Sequence, residues 1–258
     1  MLRYLINTLP RPLLIRLSYV FRQIAPLLYK GNAVDCPVCK KSFSKFLGYG
    51  SDRAYRENVL CPYCLSLERH RLLWLFLNQR TNFFSNELDV FHIAPEQCFY
   101  ERFKGQKNIN YFTGDLESPL ADYHFDLHDI PFERNKFDII ICNHVMEHVR
   151  DDHRCMQELL RVLKPGGWAI MQVPIDYSRD TTFEDPSITS SEDRELHYWQ
   201  KDHVRLYGTD YPKKLENAGF KVTPIPFAEN IPADQAEKFR LQKEEIIYFL
   251  EKEKGTPK

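Results

Sequence analysis

A three-layer α/β sandwich built on a mostly parallel sheet, preceded by a small cysteine-stapled module, is the fold class that the sequence predicts. Three observations carry it. From residue 88 onward, apolar strand-like runs alternate with helical stretches. Residues 137–174 hold a buried strand, a polar strand end, a helix, a tight turn and a second buried strand, which make one crossover unit. Two Cys-x-x-Cys pairs, Cys36–Cys39 and Cys61–Cys64, precede both features. Alternating strands and helices imply a parallel sheet covered on both faces.

The elements follow in order. Residues 1–30 carry five basic residues and no acidic one. Pro10, Pro12 and Pro26 divide this segment, and between them Leu13, Leu14, Leu17, Val20, Phe21 and Ile24 recur at helical spacing. One reading is an amphipathic helix lying on an anionic membrane. The other is a helix packed on the protein with its arginines in water. Residues 31–66 form the cysteine module, and residues 67–87 contain a helix over 67–80 with dense apolar positions. The main domain spans 88–258. Its strands are predicted at Leu88–Ile93, at Ile109–Thr113, near Asp126, at Asp138–Cys142, at Trp168–Val173, at Phe220–Phe227 and at Glu245–Glu251. Helices are predicted over 151–163, stopped by Pro165-Gly166-Gly167, and over 203–218, capped by Gly219. The polar stretch 176–200 reads as a long loop, and 176–205 as a lid over a substrate.

Cys36-Pro-Val-Cys39 and Cys61-Pro-Tyr-Cys64 are two knuckles, each turning both sulfurs toward one point. Two knuckles supply four thiolates in a tetrahedron, the donor set of a structural Zn²⁺ at zinc-ribbon spacing. Iron in a rubredoxin-like site or a redox role are the alternatives. A closed four-sulfur site has no open position, so its predicted role is structural. Basic residues Lys40, Lys41, Lys45, Arg53, Arg56, Arg69, His70 and Arg71 alternate with Phe43, Phe46, Tyr49, Tyr55 and Tyr63. That pattern suits single-stranded nucleic acid, or the aromatics are the small core of the module.

Composition bounds the rest. Residues 1–80 hold 13 Lys and Arg against 4 Asp and Glu, and the remainder holds 22 against 32. The basic front half suggests a membrane surface or nucleic acid, or attraction between two faces of one protein. Cys98, Cys142 and Cys155 match no spacing, and the odd total of seven argues against a disulfide framework. A reducing compartment follows. No uninterrupted signal-peptide core is present, and no run reaches the ~20 apolar residues of a bilayer span. The sequence therefore predicts a cytoplasmic protein, peripheral to a membrane at most.

The string Phe137-Asp138-Ile-Ile-Ile-Cys-Asn143-His144-Val-Met-Glu147-His148-Val, followed by a helix and Lys164-Pro165-Gly166-Gly167-Trp168, resembles the second half of a class I S-adenosylmethionine-dependent methyltransferase domain. The strings Cys-Pro-x-Cys, Leu67-Glu68-Arg69-His70-Arg71, His92-Ile93-Ala94-Pro95-Glu96 and Asp202-His203-Val204-Arg205 resemble a subset of that family with a zinc-knuckle module. The resemblance covers residues 88–252 and implies a Rossmann-like, seven-stranded methyltransferase sandwich. It also implies S-adenosylmethionine as cofactor, an undefined methyl acceptor, and transferase activity.

The resemblance further implies site residues. The first strand ends in a loop without glycine, where His92, Ala94, Pro95 and Glu96 would meet the cofactor. Asp115, with Leu116 after it, would grip the ribose hydroxyls, and Glu117 is the alternative. Asp126 would lie near the adenine amino group with Leu127 on the ring edge, and Asp129 is the alternative. Asn143 would line the pocket beside the methyl group. His144, His148, His197 and His203 are candidate bases, since imidazole titrates near neutral pH. His144 and His148 with Glu147 lack the His-Glu-x-x-His order, so no metal is expected there. The alternative function is a nucleic-acid- or protein-binding module on a non-catalytic domain.

Overall fold

The computed structural model describes residues 11–50 and 55–254. Residues 1–10 of the basic N-terminal segment and Arg53 of the cysteine module lie outside the described residues. Residue contacts divide the chain into two compact units. One holds the chain up to Phe83 together with Glu96–Arg102 and Pro226–Glu245. The other holds Phe84–Pro95, Phe103–Ile225 and the chain from Ile246.

The second unit contains the seven-stranded sheet. Its strands are β5 (Leu88–Ile93), β6 (Ile109–Asp115), β7 (Tyr123–His124), β8 (Phe137–Asn143), β9 (Leu163–Gln172), β10 (Lys221–Ile225) and β11 (Ile247–Glu251). Their order is β10-β11-β9-β8-β5-β6-β7. Strand β11 runs antiparallel to both neighbours, and every other pairing is parallel. This is the mostly parallel, seven-stranded sheet of the α/β fold class that the sequence predicts. The three isoleucines of β8 are wholly buried, as both faces of a central parallel strand must be. Phe91 and Phe137 stack at 4.4 Å in the same core. The helix after β8 runs Asp152–Val162 and is N-capped by Asp151, which accepts from the Arg154 amide. Its buried positions Cys155, Met156, Leu159 and Val162 form one face at helical spacing. Gly166 takes a φ of +79°, and a side chain at Gly167 would sit 2.7 Å from the Asp138 carbonyl. The tight turn at that point therefore requires glycine.

Two sequence expectations are corrected in this unit. The predicted loop 176–200 contains a helix, Ser191–Tyr198, capped by the Ser190 hydroxyl. The predicted helix 203–218 shrinks to Tyr211–Asn217. Its intended first turns are extended instead, with Leu206 bridging Phe183 and Tyr207 bridging Ile175. Pro212 explains the boundary. Proline fits the first turn of a helix, but in an interior it removes a hydrogen bond and clashes with the preceding turn. The helix Gln97–Lys104, most of which belongs to the first unit, has no counterpart among the predicted elements.

The first unit opens with α1 (Arg11–Leu28). Two antiparallel hairpins follow. One pairs β1 (Val34–Cys36) with β2 (Lys41–Phe43), and the other pairs β3 (Leu47–Tyr49) with β4 (Arg56–Leu60). The predicted connecting helix is α2 (Glu68–Arg80). Its charged start is structural. Glu68 pairs with Arg56, and the His70 ring accepts from the Leu67 amide as a cap. Arg71 is fully buried. Its guanidinium donates to the carbonyls of Val59, Ser66 and Phe239 and lies over the Phe46 ring. These three side chains are thus taken up inside the unit, and Phe43 and Phe46 form its core. No helix among the described residues is long and apolar enough to cross a membrane.

Candidate functional site

Each unit carries a candidate centre. In the first, Cys36, Cys39, Cys61 and Cys64 are buried with their sulfurs within 4.8 Å of one another. The two knuckles repeat one geometry. The residue after each second cysteine is left-handed, Lys40 at φ 55° and Leu65 at φ 62°. Its amide in each case donates to the carbonyl of the knuckle's first cysteine, at 2.8 Å in one and 3.0 Å in the other. Two sulfur pairs are 3.5 Å and 3.8 Å apart, Cys36 to Cys64 and Cys39 to Cys61. Sulfurs placed about 2.3 Å from a tetrahedral centre lie about 3.8 Å apart, so the four thiols fit a zinc ion.

In the second unit, the candidate site lies at the C-terminal ends of β5, β6 and β8. Strand order reverses there, since β5 is flanked by β6 on one side and β8 on the other. Open parallel sheets bind ligands at such a switch point. Ala94, just past β5, takes a φ of +50°. That left-handed conformation costs a non-glycine residue roughly 1 kcal/mol, and the turn takes it up without a glycine. Pro95 is buried beside it. The His92 side chain is wholly buried and hydrogen-bonds Tyr111 at 2.8 Å, so its backbone is the part near the strand end. Glu96 clusters with the first unit, its carboxylate 3.8 Å from His70 Nε2.

Asp115 ends β6. Its Oδ1 accepts from the amides of Glu117 and Ser118 at 2.8 and 2.7 Å, which fixes the turn. Gly114 before it must be glycine, because a side chain would meet the Phe125 ring at 2.6 Å. Leu116 is 65% exposed, an apolar side chain in the open directly after the acid. Asp126 is exposed, and hydrogen bonds from the backbone and ring of His128 hold its carboxyl below the usual range. Leu127 is buried in the core. Asn143 ends β8 and is buried, paired in register with Gln172.

Beyond β8 the chain turns through His144, itself left-handed at φ 55°, and its amide donates to the Gln172 carbonyl. His144 Nδ1 lies 3.2 Å from Glu147 Oε1. Burial opposes the charged form of Glu147, yet His144 and His148 outweigh it and keep the carboxyl below its ordinary value. His148 and His203 meet edge to face at 4.7 Å. Burial also opposes the charged form of His148, but Asp202 and Glu147 hold it above the ordinary imidazole value. Burial pulls His203 below that value despite Glu147. Three of the four candidate bases, His144, His148 and His203, thus gather around Glu147. His197 is not part of this group; it is exposed on the helix Ser191–Tyr198, 6.2 Å from the Phe183 ring. Buried Arg205 holds the cluster's frame. It donates to the carbonyls of Met146, Val149 and Arg150 and pairs with Glu184. Sequence reasoning set Glu147 aside and did not single out Arg205, although both fall inside the strings that carry the family resemblance.

A family model described as a methyltransferase domain matches residues 82–171, about a third of the chain. No curated protein matches the chain. Among solved structures, a methyltransferase from Mesorhizobium loti that depends on S-adenosylmethionine is 13% identical, covering 69% of this chain and 96% of that one at a TM-score of 0.49. The Haloferax volcanii complex of the Trm112 methyltransferase activator with a methyltransferase is 16% identical, covering 72% and 91% at a TM-score of 0.47. A Bacillus halodurans methyltransferase is also 16% identical, covering 69% and 93% at 0.42.

Proposed function

We propose that the chain is an S-adenosylmethionine-dependent methyltransferase whose cofactor lies across the ends of β5, β6 and β8. In this reading the four-cysteine module holds a structural zinc and contributes to binding a substrate or partner. The observation that carries the proposal is the pairing of Asp115 and exposed Leu116 with the left-handed Ala94 turn at the switch point. It lies within the stretch that matches the methyltransferase-domain model.

When bound, the cofactor supplies an electrophilic methyl group on a sulfonium. The chain's own residues bind and orient. Asp115 has one oxygen committed to its turn, which leaves Oδ2 to accept from the ribose hydroxyls. Leu116 covers apolar ring surface, and Asp126 accepts from the adenine amino group, with Leu127 supporting that wall. The backbone at His92, with Ala94 and Pro95, shapes the methionine end, and Asn143 lines it. His144, His148 and His203, buried or half-buried beyond β8, orient the acceptor or take its proton. The segment 176–205, which carries His197 and His203, closes over the acceptor as a lid.

Calorimetry on zinc-loaded protein tests the assignment. Micromolar binding of S-adenosylmethionine and S-adenosylhomocysteine is expected. Absence of binding would favour the non-catalytic binding module instead.

The location proposed is cytoplasmic and peripheral to a membrane. In α1 the packed-helix reading, with its arginines in water, fails at Arg22. Arg22 is buried against Glu101, whereas Leu13, Leu17, Val20, Ile24, Leu27 and Leu28 are exposed. Arg16 and Lys30 flank that row in the open. Apolar side chains among cations suit an anionic lipid surface. The full-length protein should therefore float with phosphatidylserine vesicles at low salt, and Leu17→Glu with Ile24→Glu should abolish flotation. Equal flotation of the double variant would remove the proposal.

A further inference from the structure

We infer that Glu147, His148 and His203 form a second metal site, which takes a first-row divalent cation and is separate in donor chemistry from the four thiols. One donor atom from each lies within 4.8 Å of the others. The inference goes beyond the methyltransferase reading and does not depend on it; with an ion bound, His148 and His203 are ligands, and of the three histidines only His144 is left to take a proton. Glu147 and His148 are adjacent at the end of β8, and His203 arrives 55 residues later in the chain. That is why no local motif announces the set.

The polar accounting points to a ligand. Glu147 is 1% exposed, and its Oε2 has no hydrogen-bond partner among the described residues. His203 is also 1% exposed, and its Nε2 is likewise without a partner. His144 Nε2, on the histidine bonded to the other Glu147 oxygen, is a third buried atom in that condition. A buried carboxylate with one oxygen unsatisfied is expensive, and native interiors rarely leave such atoms unpaired. A cation satisfies them at once. Donors at about 2.1 Å from a common ion lie about 3 to 4 Å apart, so only a small contraction of the cluster is needed.

The outer contacts are those a metal site uses. His203 Nδ1 lies 2.8 Å from the Tyr198 carbonyl. Donation of its proton there fixes the tautomer that presents a lone pair on Nε2. His148 Nδ1 is 3.3 Å from the Asp202 carboxylate, a carboxylate–histidine pair of the kind that orients a metal ligand. The Val204 amide donates to the Glu147 carbonyl at 2.9 Å, which ties the two ligand-bearing segments together. Two imidazoles and a carboxylate suit manganese, iron, cobalt or zinc, whereas four thiolates discriminate against manganese.

The experiment uses full-length protein carrying zinc in the cysteine site. Titration with MnCl2 is followed by the EPR signal of free Mn²⁺, without cofactor or acceptor, so a failed methyltransferase assignment leaves the readout intact. One Mn²⁺ per chain is expected to bind. Glu147→Gln should abolish that equivalent. Asp202→Asn, a change at an exposed carboxylate that touches no proposed ligand atom directly except through His148, should weaken it about 10- to 100-fold. Dialysis against zinc should likewise raise the zinc content from one to two per chain in wild type and leave one in Glu147→Gln. No additional equivalent of either ion in wild type overturns the site. Unchanged binding in both variants does the same, and if Glu147→Gln fails to fold, Asp202→Asn decides.

Discussion

Cys61→Ser is expected to abolish the zinc binding proposed for the four thiols and to unfold the unit that contains them. The side chain of Cys61 is wholly buried, its sulfur 3.8 Å from that of Cys39. The surrounding strands are three to five residues long, in two separate two-stranded sheets. Two-stranded pieces of that size do not stand alone in water. A thiolate-bound structural zinc contributes an apparent binding free energy of about 10–16 kcal/mol, and a serine hydroxyl cannot replace a soft anionic ligand. Elemental analysis should fall from one zinc per chain to none under conditions that leave the Glu147 cluster empty. Limited proteolysis should then cut within residues 31–66. Cys155→Ser is the control. Cys155 is equally buried but belongs to the core cluster of the other unit, so that variant should keep its zinc and lose only about 1–3 kcal/mol of stability. Retention of zinc and of the proteolytic pattern by Cys61→Ser would refute the structural role of the metal.

What the sequence made legible follows from the range of the interactions involved. Strand β8 declares itself, because a central parallel strand must be apolar on both faces and its isoleucines are contiguous. The cysteine site is equally plain, because each half is a four-residue turn. Arg205 and His203 were harder. Their stretch has helical spacing, but their side chains are consumed by carbonyls and rings of residues 144–150 that no local pattern reveals. The burial of Arg22 in α1 is hidden for the same reason. Arg22 buries itself only because Glu101, far away in sequence, supplies the opposing charge. The glycine-free loop after β5 also resists reading by composition. Ala94 accepts a left-handed turn that would ordinarily mark a glycine, so the missing residue is not a missing conformation.

Asp115→Asn should weaken S-adenosylmethionine binding about 100-fold while leaving the fold intact, on the basis of about 1.5–3 kcal/mol for each hydrogen bond to a charged acceptor. The asymmetry of the carboxylate makes the experiment discriminating. Oδ1 holds the turn through the amides of Glu117 and Ser118. An asparagine side chain retains one carbonyl oxygen and can keep both of those bonds. In place of Oδ2 it offers an NH2 group, which donates where the ribose diol needs an acceptor, and the negative charge is gone. Asp115→Ala removes both functions. It should lose binding by at least as much and also cost about 1–3 kcal/mol of stability through the two unmet amides. Calorimetric titration and thermal unfolding of the two variants therefore separate anchoring of the turn from contact with the cofactor. If Asn binds like wild type while Ala does not, Asp115 acts only on the turn, and Glu117 on the same turn becomes the residue to test for the ribose contact. If both bind like wild type, the cofactor does not lie over the end of β6.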